Sequence, residues 1–374
     1  MKDNNLVNPF RLTLATDDLF CNRVAEIDRL MQNMLSGIHT VVYAPRRYGK
    51  SSLARVVMTR LEDKMVGVYV DLFSITSIED VADKLYRCIV EALGHNAVDK
   101  SSVMSRIASF FKNLRLSMSF DPITQNPEIS ISLGEVSADI HIETVIGALD
   151  EYCAKQKIKV CLILDEFQEI CTLKDSKKIE ALLRSGMQAA KHVSFMMLGS
   201  RRTILRDMFE DRKRPFYKSA YIMPLPKIPE KEMVSFLVRI FKKGGVTLPL
   251  EEAQQIVNFC DSYPYYIQKL SMLFFDMKAK DTLTKSEALL VAMEAPDYEN
   301  IYINLTMHQK RLLRAVAKAK PMNMFSNSFL VEYHLGSQGG VQSSLAKLKK
   351  LDLVEQRKEG WRVVDPIFEK WLIM

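Results

Sequence analysis

One stretch restricts the folds open to this chain more than any other: Ala44-Pro45-Arg46-Arg47-Tyr48-Gly49-Lys50-Ser51-Ser52. It follows a β-type run, Thr40-Val41-Val42-Tyr43. It opens a helical pattern in which Leu53, Val56, Val57 and Leu61 recur at helix spacing. Strand, tight loop, Gly-Lys-Ser and helix, in that order, make a phosphate-binding loop. The loop amides and the helix N-terminus carry partial positive charge and cradle phosphates. Lys50 is placed to reach the β- and γ-phosphates, and the Ser51 hydroxyl to ligate Mg²⁺. Ala44 stands where a glycine is usual. Alanine does not accept positive φ as glycine does, so the loop must begin in an ordinary conformation. By itself the string also fits a strand-turn-helix without a ligand.

A second motif narrows the choice. Val160-Cys161-Leu162-Ile163-Leu164 is an apolar run ending on Asp165-Glu166. A buried strand whose carboxyl end presents an acid is where Mg²⁺ coordination belongs in an open parallel sheet. Asp165 is expected to hold the Mg²⁺ water shell and Glu166 to polarise the attacking water as general base. Another apolar run, Val193 to Gly199, ends in Ser200-Arg201-Arg202. Arg201 there either touches a γ-phosphate through a charge-assisted contact or merely begins a solvated helix.

Strands alternate with helices up to Pro224-Leu225-Pro226, which argues for a parallel α/β sheet. Val66 to Leu72 is apolar on both faces and reads as a buried parallel strand. Residues 100–113 read as helical. Period-two alternation at 114–120 and 128–133 reads as a β-hairpin inserted at about 114–133, either a sheet edge or a contact device for a partner. Beyond Pro226 the pattern is all helical: about 229–243, 250–260, 264–277 and 285–294. Thr284 and Glu287 suggest a capping box for the last. From Leu305 three helices and a hairpin follow, the order of a winged helix. In its third helix Gln338, Gln342, Ser343, Ser344, Lys347 and Lys350 are candidates for base or phosphate contact, with Arg357 and Lys358 at the hairpin tip. The expected domains are a core at 1–225, a helical lid at 226–300 and a winged helix at 301–374.

Charge supports an anionic partner for the last of these. Residues 301–374 carry twelve Lys and Arg against six Asp and Glu, nearly the whole net charge of +7. Nucleic acid is the first candidate, and a winged helix used only for protein packing is the other. The six cysteines are scattered and form no C-x-x-C pair, so a zinc site or disulfide frame is not expected. They read as buried thiols in a reducing compartment. No signal-like apolar segment and no membrane-length run is visible, so a cytoplasmic location is expected.

The chain resembles the archaeal-type ATPases, a branch of the P-loop AAA+/STAND proteins. The resemblance rests on Asn8-Pro9-Phe10, Phe20-x-Asn22-Arg23-x-x-Glu26, the Pro45 to Leu53 string, Leu164-Asp165-Glu166-Phe167-Gln168-Glu169, Gly199-Ser200 and Pro215-Phe216-Tyr217. It implies a P-loop NTPase core with a helical lid and a C-terminal winged helix, similar to replication-origin initiators. It also implies an ATP- and Mg²⁺-dependent switch. By this resemblance Asn22 and Arg23 lie near the adenine, and Ser262-Tyr263-Pro264 matches the family's Gly-x-Pro near the nucleotide. Two positions depart from the pattern. Ser262 replaces that glycine, and Lys218 stands where an arginine after Pro-x-Tyr is usual. Lysine lacks the planar fork of arginine, so action in trans on a neighbour's nucleotide would be weakened. The expected output is either DNA binding through residues 301–374 or STAND-type signalling to a protein partner. A nucleotide-binding scaffold without turnover is the third option. No guanine-reading Asn-Lys-x-Asp occurs in the sequence.

Overall fold

The computed structural model describes residues 7–15, 18–95, 116–120, 127–131, 139–277 and 282–374. They fall into two compact units. One comprises Val24–Ala44 and Lys50–Leu225. The other comprises Met1–Arg23, Pro45–Gly49 and Pro226–Met374.

The first unit is built on a parallel sheet. Its strands are β1 (Thr40–Tyr43), β2 (Val66–Asp71), β5 (Val160–Asp165), β6 (Val193–Gly199) and β7 (Tyr221–Pro224), in the order β2-β5-β6-β1-β7. β5 and β6 are buried at every position because each has a neighbour on both sides and helices over both faces. The helices are α1 (Val24–Leu35), α2 (Lys50–Leu61), α3 (Ile78–His95), α4 (Asp139–Gln156), α5 (Ser176–Ala189) and α6 (Arg202–Glu210). Register brings Asp71 level with Asp165 and Tyr43 level with Gly199, so the carboxyl ends of the strands form one rim. β2 corrects the sequence expectation of full burial: it is an edge strand, and only Val68 and Val70 are buried within it. An apolar run does not reveal whether a second neighbour exists.

A two-stranded antiparallel hairpin pairs β3 (Leu116–Phe120) with β4 (Pro127–Ile131). The expected helix at 100–113 lies outside the described residues.

From residue 230 to residue 303 the second unit is helical. It contains α7 (Glu230–Lys243), α8 (Leu250–Phe259), α9 (Pro264–Met277) and α10 (Thr282–Ile303). Thr284 is inside α10 and not its cap, and the helix runs on through Pro296. A mid-helix proline removes a hydrogen bond and costs about 3 kcal/mol. On either side of it Glu294 is paired with Arg47 and Lys269, and the Tyr298 ring stacks on Phe368 at 4.7 Å, so the helix is held by packing along this stretch.

The winged helix follows. Its elements are α11 (Met307–Ala319), α12 (Asn327–Glu332), α13 (Gln338–Lys350), the β8 (Val354–Arg357) and β9 (Gly360–Val363) hairpin, and α14 (Pro366–Ile373). Each helix has a side-chain cap. Thr306 and Gln309 form a capping box, Ser326 and Ser337 cap α12 and α13, and Asp365 caps α14 with Pro366 at its first position. Such caps satisfy amides that the helix leaves unpaired.

Two sequence expectations for the winged helix are corrected. Ser344 is buried and bonded to His308 Nδ1 at 2.7 Å, so it does not present itself on α13. Arg357 is held by Glu355 at 2.5 Å and Asp261 at 2.9 Å, so it is not placed for backbone contact. Gln338 is bonded to the Phe325 carbonyl at 2.9 Å. Gln342, Ser343, Lys347 and Lys350 remain exposed. Among the described residues no helix is long and apolar enough to cross a membrane.

Candidate functional site

The strand rim of the first unit carries a charged cluster. Lys50 opens α2, is 6% exposed, and donates to the Ala44 carbonyl at 3.0 Å. That bond folds the lysine back over the loop it terminates. Ser51, one residue on, donates through Oγ to Asp165 Oδ2 at 2.6 Å. The Tyr69 hydroxyl on β2 donates to the same oxygen, and the Glu166 amide to Oδ1 at 2.8 Å. Burial, and then the neighbouring Asp165 carboxylate, raise the Tyr69 hydroxyl, which therefore stays protonated and donates. Arg55 stacks over the Tyr69 ring at 4.0 Å.

Glu166 leaves the strand in the left-handed region, φ 50, and so turns away from the line of β5. Its Oε2 accepts from Ser200 Oγ at 3.1 Å and from Gln168 Nε2. Gln168 is fully buried and its Oε1 in turn accepts from the Ser200 amide at 3.1 Å. Gly199 permits this: a Cβ there would sit 2.3 Å from Gln168 Oε1 and 2.6 Å from Leu205 Cδ1. The side chain that meets Glu166 at the tip of β6 is thus Ser200. Arg201 is half exposed and faces Glu169 at 3.9 Å. Sequence reasoning quoted Ser200 and Gln168 within motifs without giving either a role, and it missed Tyr69. A hydroxyl directly after an apolar strand was the available signal for Ser200, and β2 offered none for Tyr69.

The fit to a metal can be judged from these donors. Among the described residues no three His, Cys, Asp or Glu gather into an all-protein cage. One carboxylate beside one serine hydroxyl suits Mg²⁺, which keeps most of its waters and takes few protein ligands.

Phe167 shows why the acidic motif is followed by an aromatic. It is fully buried and packs on Phe216 at 5.4 Å, which packs on Phe209 at 5.1 Å. Arg214, just before Pro215, is paired with the buried Glu180. The Pro215-Phe216-Tyr217 segment is thereby moored to the base of the acidic turn. Lys218 is exposed, with Nζ 5.4 Å from the Tyr217 ring.

The loop residues Pro45–Gly49 belong to the second unit. Arg46 is exposed. Arg47 has φ 66 and Gly49 φ 86. Tyr48 is buried and meets Tyr263 edge-on at 4.8 Å. Arg23 is 3% exposed and reaches the Pro226 carbonyl at 2.7 Å and the Tyr48 carbonyl at 3.4 Å. Asn22 and Arg23 both have positive φ, so the chain bends sharply before α1. Pro264 starts α9. Ser262 before it has φ 58, the conformation for which a glycine would be better suited.

Comparisons with known proteins agree with this architecture. A family described as "ATPase domain predominantly from Archaea" matches residues 20–270. A second, described as "Probable winged helix domain", matches residues 296–374. No curated protein matches the chain. The Walker-type ATPase PABY2304 of Pyrococcus abyssi superposes with a TM-score of 0.71 at 19% identity, over 98% of this chain and 100% of its own. The Aeropyrum pernix ORC2 protein, solved as ADPNP-ADP complexes, superposes at 0.59 with 15% identity, over 94% of this chain and 92% of its own. At such identities the likeness is one of fold. The parallel sheet, the acidic strand end and the sequence match over residues 20–270 together place this chain in the family of ATPase domains found predominantly in Archaea.

Proposed function

We propose that this protein is a Mg²⁺-dependent ATP-binding and hydrolysing switch whose nucleotide state is relayed to its winged helix. The observation that carries the proposal is the meeting of Ser51 and Asp165, 114 positions apart in sequence, beside Lys50 and Glu166. Only the phosphate-loop reading requires those residues together. Lys50 and the loop amides bind phosphate oxygens. Ser51 and Asp165 hold Mg²⁺, which when bound neutralises phosphate charge. Glu166 takes a proton from the attacking water, with Ser200 and Gln168 fixing its carboxylate. Arg201 is assigned to the γ-phosphate side of the cluster. Asn22, Arg23 and Pro264 are assigned to the base and sugar end, and residues 44–52 to the phosphates. The ORC2 likeness, in complexes with ADPNP and ADP, supports nucleotide as the ligand class.

Catalysis in such a site is positioning and electrostatics, with little covalent chemistry for the protein. The working division is a core at 1–225, a lid at 226–300 and a winged helix at 301–374. Lys50→Ala is expected to abolish nucleotide binding by equilibrium titration. Tight binding in that variant would overturn the phosphate-loop assignment.

For output, duplex DNA is the proposed partner, met by Gln342, Ser343, Lys347 and Lys350 on the exposed side of α13. A salt titration of DNA affinity tests it. Steep weakening with salt is expected, and absence of binding at low salt would sink it. A second reading has its own support. Arg357 is paired with Asp261, and Lys320 and Arg362 with Glu369, so several of the cations are spent inside the unit. On that reading the winged helix packs internally and the partner is a protein.

A further inference from the structure

Two adjacent arginines in the loop have opposite surroundings. Arg46 is exposed, whereas Arg47 is half-buried and held on several sides. The Arg47 guanidinium lies 2.5 Å from Glu294 Oε2, 3.3 Å from Asp297 Oδ2 and 3.9 Å from Asp365 Oδ2. It also donates to the Tyr266 hydroxyl and lies 4.9 and 5.2 Å from the Tyr265 and Tyr266 rings. Glu294 is 3% exposed and is shared with Lys269 at 2.6 Å. Asp365 does two jobs. It caps α14, accepting from the Ile367 and Phe368 amides at 2.9 and 3.0 Å. It also accepts from Tyr266 and, at 3.2 Å, from Tyr298. Three helices thus converge on one loop side chain, and one of them is the last helix of the winged helix.

Arg47 needs that grip. Its φ of 66 is a conformation that L side chains resist. Such backbone persists where surrounding structure over-determines it. Left-handed residues at 47 and 49 are the kind of backbone that turns successive amides toward an anion. The Tyr265 amide also donates to the Arg47 carbonyl at 3.4 Å, so main chain and side chain are both held.

We propose that Arg47 is a positioning residue through which Glu294 of α10 and Asp365 of the winged helix hold the loop Pro45–Gly49 in its phosphate-binding conformation. Nucleotide affinity then depends on the docking of α14. By linkage, whatever draws the winged helix away loosens the nucleotide by the same factor that nucleotide opposes its departure. This inference rests on the nucleotide reading above.

The test uses the full chain. Asp365→Asn removes the charge and keeps the cap, since Asn caps as well as Asp. Glu294→Gln likewise keeps the shape. In nucleotide-free protein, amide exchange at residues 46–49 is expected to quicken about tenfold in each variant, with β5 unchanged. Affinity for a fluorescent ADP with Mg²⁺ is expected to fall about five- to thirtyfold. Arg47→Ala combined with Asp365→Asn should lose no more than Arg47→Ala alone, and Arg47→Lys should recover part of the loss. Wild-type loop exchange and wild-type affinity in a folded Asp365→Asn or Glu294→Gln protein would overturn the proposal, as would additive losses in the double variant. If one variant fails to fold, the other decides. A wild type that binds no ADP, with loop exchange still responding to both variants, would remove the nucleotide reading and leave the positioning role standing.

Discussion

Two charged clusters draw on the same nine-residue loop, and they are built on opposite terms. In the first unit the donors to Asp165 and Glu166 are hydroxyls and amides: Ser51, Tyr69, Ser200, Gln168 and one main-chain N–H. Neutral donors orient a carboxylate and leave its charge in place for an incoming cation. In the second unit the carboxylates meet cations directly. Glu294 touches both Arg47 and Lys269, and Glu294 and Lys269 are buried. Burial works against the Arg47 charge, but Tyr266, Glu294 and Asp365 outweigh it and raise the guanidinium above its ordinary value. On the function proposed above, the cluster whose carboxylates meet cations acts as a fastening, and the one whose carboxylates meet neutral donors acts as the site.

The comparison can be broken at four points. The largest effect is expected for Glu166→Gln, which should lower single-turnover phosphate release by about 10²–10⁴-fold while nucleotide binding persists. Equal rates in variant and wild type would remove the hydrolase from the first cluster. Glu294→Ala should leave Arg47 and Lys269 short of their shared partner and cost about 3–5 kcal/mol in urea unfolding. A loss well below 1 kcal/mol would mean that the second cluster is not a fastening. Ser200→Ala should release one donor from Glu166, worth about 1.5–3 kcal/mol for a bond to a charged group, and slow hydrolysis accordingly. Unchanged hydrolysis there, with Arg201→Ala inactive, would return the role to the arginine.

The smallest effect concerns Asp261, the carboxylate between Lys227 and Arg357. Burial works against its charge, but Lys227 and Arg357 prevail and hold the carboxyl below its ordinary value. A group with a depressed folded-state value stabilises above the unfolded pKa, about 4 for Asp, and loses that contribution as pH falls through the folded value. Wild type should therefore exceed Asp261→Asn by about 1 kcal/mol at pH 7 and converge with it in acid. A gap that survives at pH 2 would show that the charge is not the cause.

Much of the fold was legible, for identifiable reasons. β5 and β6 are interior strands, and uninterrupted apolar runs say so directly. The helices of the winged helix start at Ser and Thr caps that are visible in the sequence. Where sequence expectation failed, a local rule was overridden from a distance. β2 is apolar yet lies on an edge, which only pairing decides. α10 passes Pro296 where Glu294 is paired with Arg47 and Lys269 and Tyr298 stacks on Phe368, contacts that no local pattern shows. Ser344 and Arg357 looked suited to nucleic acid by type and position. Their partners, His308 and Asp261, lie 36 and 96 residues away in sequence, and no local pattern announces them.

The loop itself divides the same way. Its Gly-Lys-Ser, and the acidic pair that ends and follows β5, were legible from residue type and spacing, because the phosphate-loop reading asks for those groups in that order. That Lys50 folds onto Ala44, that Ser200 rather than Arg201 meets Glu166, and that Arg47 is bound to Glu294 and Asp365 were decided by tertiary structure. A side chain's charge is a property of the sequence. Whether that charge is cancelled or kept for a ligand depends on which distant residue folding brings beside it.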